Sequence, residues 1–256
     1  MITSSKIERL ARLKELNIAF VSTPTPILMS DELVVSPNRT NYFPFPQVVL
    51  ATSVKNAFAR NNIQSKIHFY DYKGLDHAWN DHLTEYGHIK YGEKTLSKLF
   101  LGDGFERMKM ELDDKDVVCI TSNFTCESNS VIESIRIIKS TNRKALIIVG
   151  GRDVSARPTY YLSNGADIAA CGDADLSLAA LLVRLQKGED VGEFYRKGIL
   201  SESKIKVNLN DTDFLDFCFV NDKLHLYNES GSGGFIDSVL ERGNISYFET
   251  SSGCCR

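Results

Sequence analysis

No apolar run in this sequence is long enough to cross a bilayer, which takes about 20 such residues, so no transmembrane helix and no membrane partner are expected. Long blocks of one charge sign are also missing. The net charge is only −3, which argues against an electrostatic footprint for nucleic acid. There is no C-x-x-C pair, and with it goes sequence support for a complete four-ligand zinc site. There is no G-x-x-x-x-G-K-[ST], which removes phosphate-loop nucleotide chemistry. A secretory leader is not expected either, because MITSSKIERLARLKELN is too polar for one. Residues 1–16 read instead as a short amphipathic helix. Ser5 and Glu8 are spaced as a capping box, and Ile7, Leu10 and Leu13 form its stripe. These absences predict a cytoplasmic protein. In that compartment disulfides are disfavoured, and Cys119 and Cys171, set in apolar runs, read as small core residues.

What is present is ordinary in bulk and ordered in pattern. At 256 residues, 43% hydrophobic and 25% charged, the chain can bury a substantial core. Strand-like runs occur at IAFVST (18–23), SKIHFYDY (65–72), DVVCITSNF (116–124), KALIIVGG (144–151) and ADIAACGD (166–173). Helical patterns fall between them. QVVLATSVKNAFARN (47–61) carries apolar residues at 48, 51, 54, 57 and 58, and CESNSVIESIRIIKS (126–140) carries them at 131, 135 and 138. RPTYYLSNG (157–165) is a short helix with Pro158 in its first turn, and DLSLAALLVRLQKG (175–188) is an apolar helix stopped by Gly188. Alternation of this kind predicts an α/β fold: a doubly wound, mainly parallel Rossmann-like or flavodoxin-like sheet with helices on both faces. The expected domain spans residues 17–190, followed by a hairpin (198–208) and linker over 191–244.

Two stretches depart from the pattern. Residues 24–46 form a long loop holding five of the six prolines (24, 26, 37, 44 and 46). Residues 73–113 form an insert with the only tryptophan, Trp79, and three of the five histidines. His77, His82 and His88 are spaced by five and six residues, which does not place two ligands on one helix face; the insert reads as solvated. GSGGF (231–235) mimics a dinucleotide fingerprint, but Ile236 stands where a third glycine is needed, so a flexible linker is the reading.

Doubly wound sheets bind ligands beyond the carboxyl ends of their strands. The candidate cofactor-binding residues are therefore Thr23 and Pro24, Ser122, Asn123, Phe124 and Thr125, Gly150, Gly151 and Arg152, and Gly172 and Asp173. The Gly150-Gly151 pair has two readings: it lets a ligand approach backbone closely, or it relieves a tight turn.

DVVCITSNFT, VIESIRIIKS and ALIIVGGRDVSARPTYYLSNGADIAACGDAD together resemble the cobalamin-binding domain of cobalamin-dependent radical S-adenosylmethionine enzymes, over roughly residues 17 to 190. Ala166-Asp167 and Gly172-Asp173 fit that family's strand-and-turn pattern after the double glycine. Glu249-Thr250-Ser251-Ser252-Gly253-Cys254 resembles the entry to its catalytic barrel, with Ser252 where arginine is usual. The resemblance implies a module that binds cobalamin, in a parent enzyme that is a methyltransferase acting through methylcobalamin. It implies Cys254 as the first of three thiolate ligands to a [4Fe–4S] cluster, which in turn binds S-adenosylmethionine, if the chain continues past residue 256. Residues 245–256 are then the start of that barrel, and Cys255 has no assigned role. No catalytic residue is expected in the chain itself. The D-x-H-x-x-G motif that ligates cobalt in related proteins is missing, so no histidine is expected beneath the metal. Two rivals remain: a stand-alone cobalamin sensor or carrier, and a flavodoxin-like enzyme binding a nucleotide or nucleotide-sugar in the same crevice.

Overall fold

The computed structural model describes residues 4–30, 33–34, 44–74, 82–191, 195–201 and 216–220. Trp79, His77, the GSGG stretch, the ISYFET segment, and Cys254 and Cys255 lie outside these residues.

The first helix, α1 (Ser4–Arg12), leads into β1 (Glu15–Ser22). Then come β2 (Pro26–Ser30), β3 (Leu33–Val34), α2 (Phe45–Arg60) and β4 (Gln64–Asp71). A hairpin of β5 (Leu83–Tyr91) and β6 (Lys94–Leu101) precedes α3 (Gly104–Glu111). β7 (Val117–Thr121), α4 (Ser128–Thr141), β8 (Leu146–Gly150), α5 (Arg152–Ala156), α6 (Pro158–Ser163), β9 (Ile168–Cys171) and α7 (Asp175–Lys187) follow. A small hairpin, β10 (Tyr195–Arg196) and β11 (Ile199–Ser201), ends the regular structure of the main sheet.

The main sheet runs β10-β11-β9-β8-β7-β1-β4. Six of its strands are parallel, and only β10 is antiparallel to its neighbour. Taken in chain order, β4-β1-β7-β8-β9 is the flavodoxin-like order 2-1-3-4-5. The strand parity that makes each run apolar throughout is visible in the packing. Ile18, Phe20, Cys119 and Ile148 join the core under α1, α2 and α7. Ala19, Val21, Val118, Ile120, Ile147 and Val149 join the core under α3, α4 and α6. Each fully buried Val, Ile or Phe among them contributes about 1.5–3 kcal/mol, so the two cores hold the sheet from both faces. The predicted stripe on α2 is buried at Val48, Ala51, Val54 and Phe58. Gly188 caps α7 in the left-handed conformation at φ +70°, where a Cβ would be strained.

Three expectations change. Ser5 lies inside α1, which already includes Ser4, so the Ser5–Glu8 pair is not the helix cap. The hairpin sits at Tyr195–Ser201, with Lys197 and Gly198 both at positive φ in its turn. Residues 202–208 of the predicted hairpin lie outside the described residues. The third change is larger. The proline-rich loop and the insert are not separate decorations, because they pair with each other. A second, antiparallel sheet runs β3-β2-β6-β5, with Ile27 opposite Leu99 and Pro26 opposite Phe100. The Leu101 amide donates to the Thr25 carbonyl at 2.9 Å, tying this sheet to the segment that leaves β1.

Candidate functional site

The strand order reverses between β1 and β7, so the chain leaves these two neighbours in opposite directions. A crevice must open where their connections part. A cavity of 390 Å³ lies there, within the range of about 300–1,000 Å³ usual for small-molecule sites. Its walls come from three directions. The exit of β1 supplies Ser22 to Pro26, the entry of α2 supplies Pro44, Pro46 and Gln47, and the exit of β7 supplies Thr121, Asn123, Phe124, Cys126 and Glu127, with Lys73 alongside.

The proline-rich loop thus has a physical role. Four of its prolines (24, 26, 44 and 46) line the cavity. Proline is rigid and carries no N–H, so these positions form an apolar wall without adding backbone donors that need partners. One of them occupies the first turn of α2, where a missing N–H costs nothing. Gln47 is buried, and its Nε2 donates to Ser22 Oγ at 3.0 Å. Thr25 Oγ1 donates to the Lys73 carbonyl at 2.9 Å, and Ser130 Oγ donates to the Pro24 carbonyl at 2.7 Å. The β1 exit is therefore pinned from two sides. Glu127 folds back over the β7 exit, where its Oε2 accepts the Asn123 amide at 2.8 Å and the Phe124 amide at 3.2 Å. Phe124 stays 56% exposed at the cavity mouth.

The residues expected to act from sequence divide into groups. Thr23, Pro24, Asn123 and Phe124 line the cavity together. Ser122 is fully buried behind it, with its hydroxyl 2.8 Å from the Tyr161 hydroxyl. Thr125 turns its hydroxyl away to Asp153 Oδ1, at 2.7 Å. Gly150, Gly151 and Arg152, at the end of β8 and the start of α5, are not among the residues that line the cavity. Gly151, at φ +117°, packs on the Ser122 carbonyl, where a Cβ would come to 2.2 Å. Close approach is what this glycine serves, and the group approached is backbone of the same chain. Gly172 and Asp173 lie one strand further, where the Gly172 amide donates to Ser155 Oγ at 3.0 Å. Asp167, part of the family-like pattern, sits at the opposite end of the sheet. Its Oδ2 accepts the Ile147 amide at 2.9 Å and Lys6 Nζ at 2.6 Å. Cys254 lies outside the described residues.

Sequence reasoning missed Gln47, Lys73, Glu127 and the α2 prolines. The concentration of prolines was the available signal. The charges near the strand ends have definite causes. Burial alone would raise the Asp153 carboxyl, but hydrogen bonds from Arg157, Tyr161 and Thr125 outweigh it and hold it below the ordinary carboxylate range. Burial, with the Glu127 and Asp153 charges behind it, pushes the Cys126 thiol up, so Cys126 is a poor nucleophile at neutral pH.

A second cleft, of 760 Å³, lies between the smaller sheet and helices α3 and α4. Within it Lys109 pairs with Glu106 and Arg136 with Glu133, and His88 Nε2 lies 3.2 Å from Glu85 Oε1. The switch-point cavity is the stronger candidate because it lies at the crevice where a sheet of this order receives ligands. Among the described residues no cluster of His, Cys, Asp and Glu suits a metal ion, and no histidine lines the switch-point cavity. No described helix is long and apolar enough to cross a membrane.

The fold and cavity define the class: a doubly wound α/β domain of flavodoxin-like order with a cavity at its topological switch point. No family model matches the chain, and no curated protein matches it. Among solved structures, the N-terminal domain of a hypothetical protein from Thermotoga maritima is similar over 38% of this chain and 70% of that one, at 25% identity and a TM-score of 0.29. At that score the likeness carries no argument.

Proline faces, the amides of Gln47 and Asn123, and the charged side chains of Lys73 and Glu127 give the cavity a mixed apolar and polar lining, and its volume is small for a corrin ring.

Proposed function

We propose that this chain is a cobalamin-binding module. The residues around the cavity between the ends of β1 and β7 would hold part of the cofactor. The observation that carries this reading is the cavity itself, at the one crevice where a sheet of this order receives ligands. Pro24, Pro44 and Pro46 supply flat apolar contact. Gln47 and Asn123 offer amide groups, Thr23 offers a hydroxyl, and Phe124 gives an exposed aromatic face at the mouth. When bound, cobalamin supplies alkyl-group transfer at cobalt, and the chain's part is to hold and orient it. No histidine is among the residues that would hold it.

The resemblance of residues 249–254 to a barrel entry supports a parent of the cobalamin-dependent radical S-adenosylmethionine class, with Cys254 a cluster ligand. That parent is a methyltransferase in the same proposal.

The experiment is direct. Purified apo-protein is mixed with hydroxocobalamin, free ligand is removed by gel filtration, and the visible spectrum is recorded. Retained corrin absorbance at about one equivalent, without the signature of a histidine ligand, is expected. A colourless protein overturns the reading.

A further inference from the structure

The cavity wall at the β7 exit is a four-residue segment, Ser122 to Thr125. Its two middle residues, Asn123 and Phe124, face the cavity, while its two ends do not. One end, Thr125, bonds a carboxylate behind the wall directly, and the other, Ser122, reaches it through the Tyr161 hydroxyl. Asp153 is 6% exposed and sits on α5, two residues after Gly151. Its Oδ1 accepts Thr125 Oγ1 at 2.7 Å and Arg157 Nε at 3.2 Å. Its Oδ2 accepts Arg157 Nη2 at 2.6 Å and the Tyr161 hydroxyl. Its backbone N–H donates to the Ser122 carbonyl at 3.3 Å. Because the single Tyr161 proton goes to Asp153, the Ser122 hydroxyl donates to the Tyr161 oxygen at 2.8 Å. The chain of bonds therefore runs Ser122–Tyr161–Asp153–Thr125 and closes behind the wall.

We infer that Asp153 is a positioning residue for the switch-point cavity. It does not touch the ligand. It fixes both ends of the 122–125 segment, so that Asn123 and Phe124 are presented at one height and angle. The chemistry requires an ionised carboxylate. Four donors from three side chains converge on its two oxygens, and only a group with acceptors on both sides satisfies them. An asparagine would turn an NH₂ toward the two donors on one side of the group and leave them without that acceptor. The inference rests on reading the cavity as the cobalamin site, but its structural half is testable without ligand.

Two variants test it, Asp153→Asn and Thr125→Val, beside a control, Val183→Ala, in the α7 core away from the cavity. Thr125 is exposed, so Thr125→Val keeps the test open if Asp153→Asn does not fold. Amide hydrogen exchange is read at Asn123 and Phe124 in the apo-proteins. Hydroxocobalamin affinity is read by titration. Both variants should raise exchange at these two amides and lower affinity by about tenfold, the effect of one lost charge-assisted hydrogen bond. Amides of α7 should keep their protection. Val183→Ala should lower the melting temperature yet leave the Asn123 and Phe124 exchange and the affinity unchanged, which separates positioning from general stability. Unchanged exchange at Asn123 and Phe124 in both variants overturns the inference, as does unchanged affinity in a protein that binds. A wild-type chain that retains no cobalamin instead overturns the cofactor reading, and the exchange result then decides the role of Asp153 by itself.

Discussion

Gly151 lies so close to the Ser122 carbonyl that a Cβ would stand 2.2 Å from its oxygen, with the backbone at φ +117°. The neighbouring glycine is different. A Cβ on Gly150 would meet Ala170 Cβ at 3.5 Å, an ordinary contact. The pair therefore divides into one required and one permitted glycine. Gly151→Ala should destabilise by at least ~2 kcal/mol, from strain at a left-handed position and displacement of the 122–125 segment. Gly150→Ala should cost under ~1 kcal/mol. Urea denaturation of the two variants measures the contrast, and equal losses would contradict it.

Phe124 offers a cleaner test of the cofactor reading than any buried residue. Its exposure of 56% means that truncation removes little packing. Phe124→Ala should leave the unfolding midpoint within about 0.5 kcal/mol of wild type. It should also weaken hydroxocobalamin retention several-fold in the gel-filtration assay, through loss of aromatic contact at the cavity mouth.

The hydrogen bonds on Asp153 make stability depend on pH in a defined direction. Its carboxyl is held below the ordinary range in the folded chain, against about 3.9 unfolded. The stabilisation is therefore fully present above about pH 4 and is lost as pH falls through the folded value. The stability gap between wild type and Asp153→Asn should be wide at pH 7 and should narrow on going down to pH 3. Chemical denaturation at the two pH values measures it, and a gap that widens in acid would have the wrong sign.

Lys6 anchors α1 to the far end of the sheet through Asp167, at 2.6 Å with both side chains largely buried. Lys6→Met leaves the carboxylate with the Ile147 amide at 2.9 Å as its remaining partner. The cost should be about 3 kcal/mol, as for one partner removed from a buried pair. Thermal unfolding of the variant checks this, and a loss under ~1 kcal/mol would show that the pair is solvent-screened.

Cys119 points into the core from β7, and burial pushes its thiol up to about 12. It should resist iodoacetamide at pH 8 in the folded chain and become labelled once urea unfolds it. Peptide mapping by mass spectrometry reads this site by site.

Much of the fold was legible because its signals are local. The strand ending in Thr121 and the stripe of α2 declare themselves within a dozen residues, through β-branched runs and a helical period. The exits of β1 and β7 could be named as site residues on the same basis. What could not be read is anything that depends on partners distant in the chain. Pro26 pairs with Phe100, and nothing near either residue says so. Gln47 faces the cavity only because α2 packs across β1, and Lys73 only because β4 lies beside it. The double glycine looked the same at both positions, and only the approach of Ser122 distinguishes them. By itself, then, the sequence determined a doubly wound α/β domain and the set of strand ends where a ligand can meet it. Only the tertiary structure decided which ends share a cavity, because the order 2-1-3-4-5 comes from long-range packing of helices on both faces, a cooperative choice that no short stretch encodes.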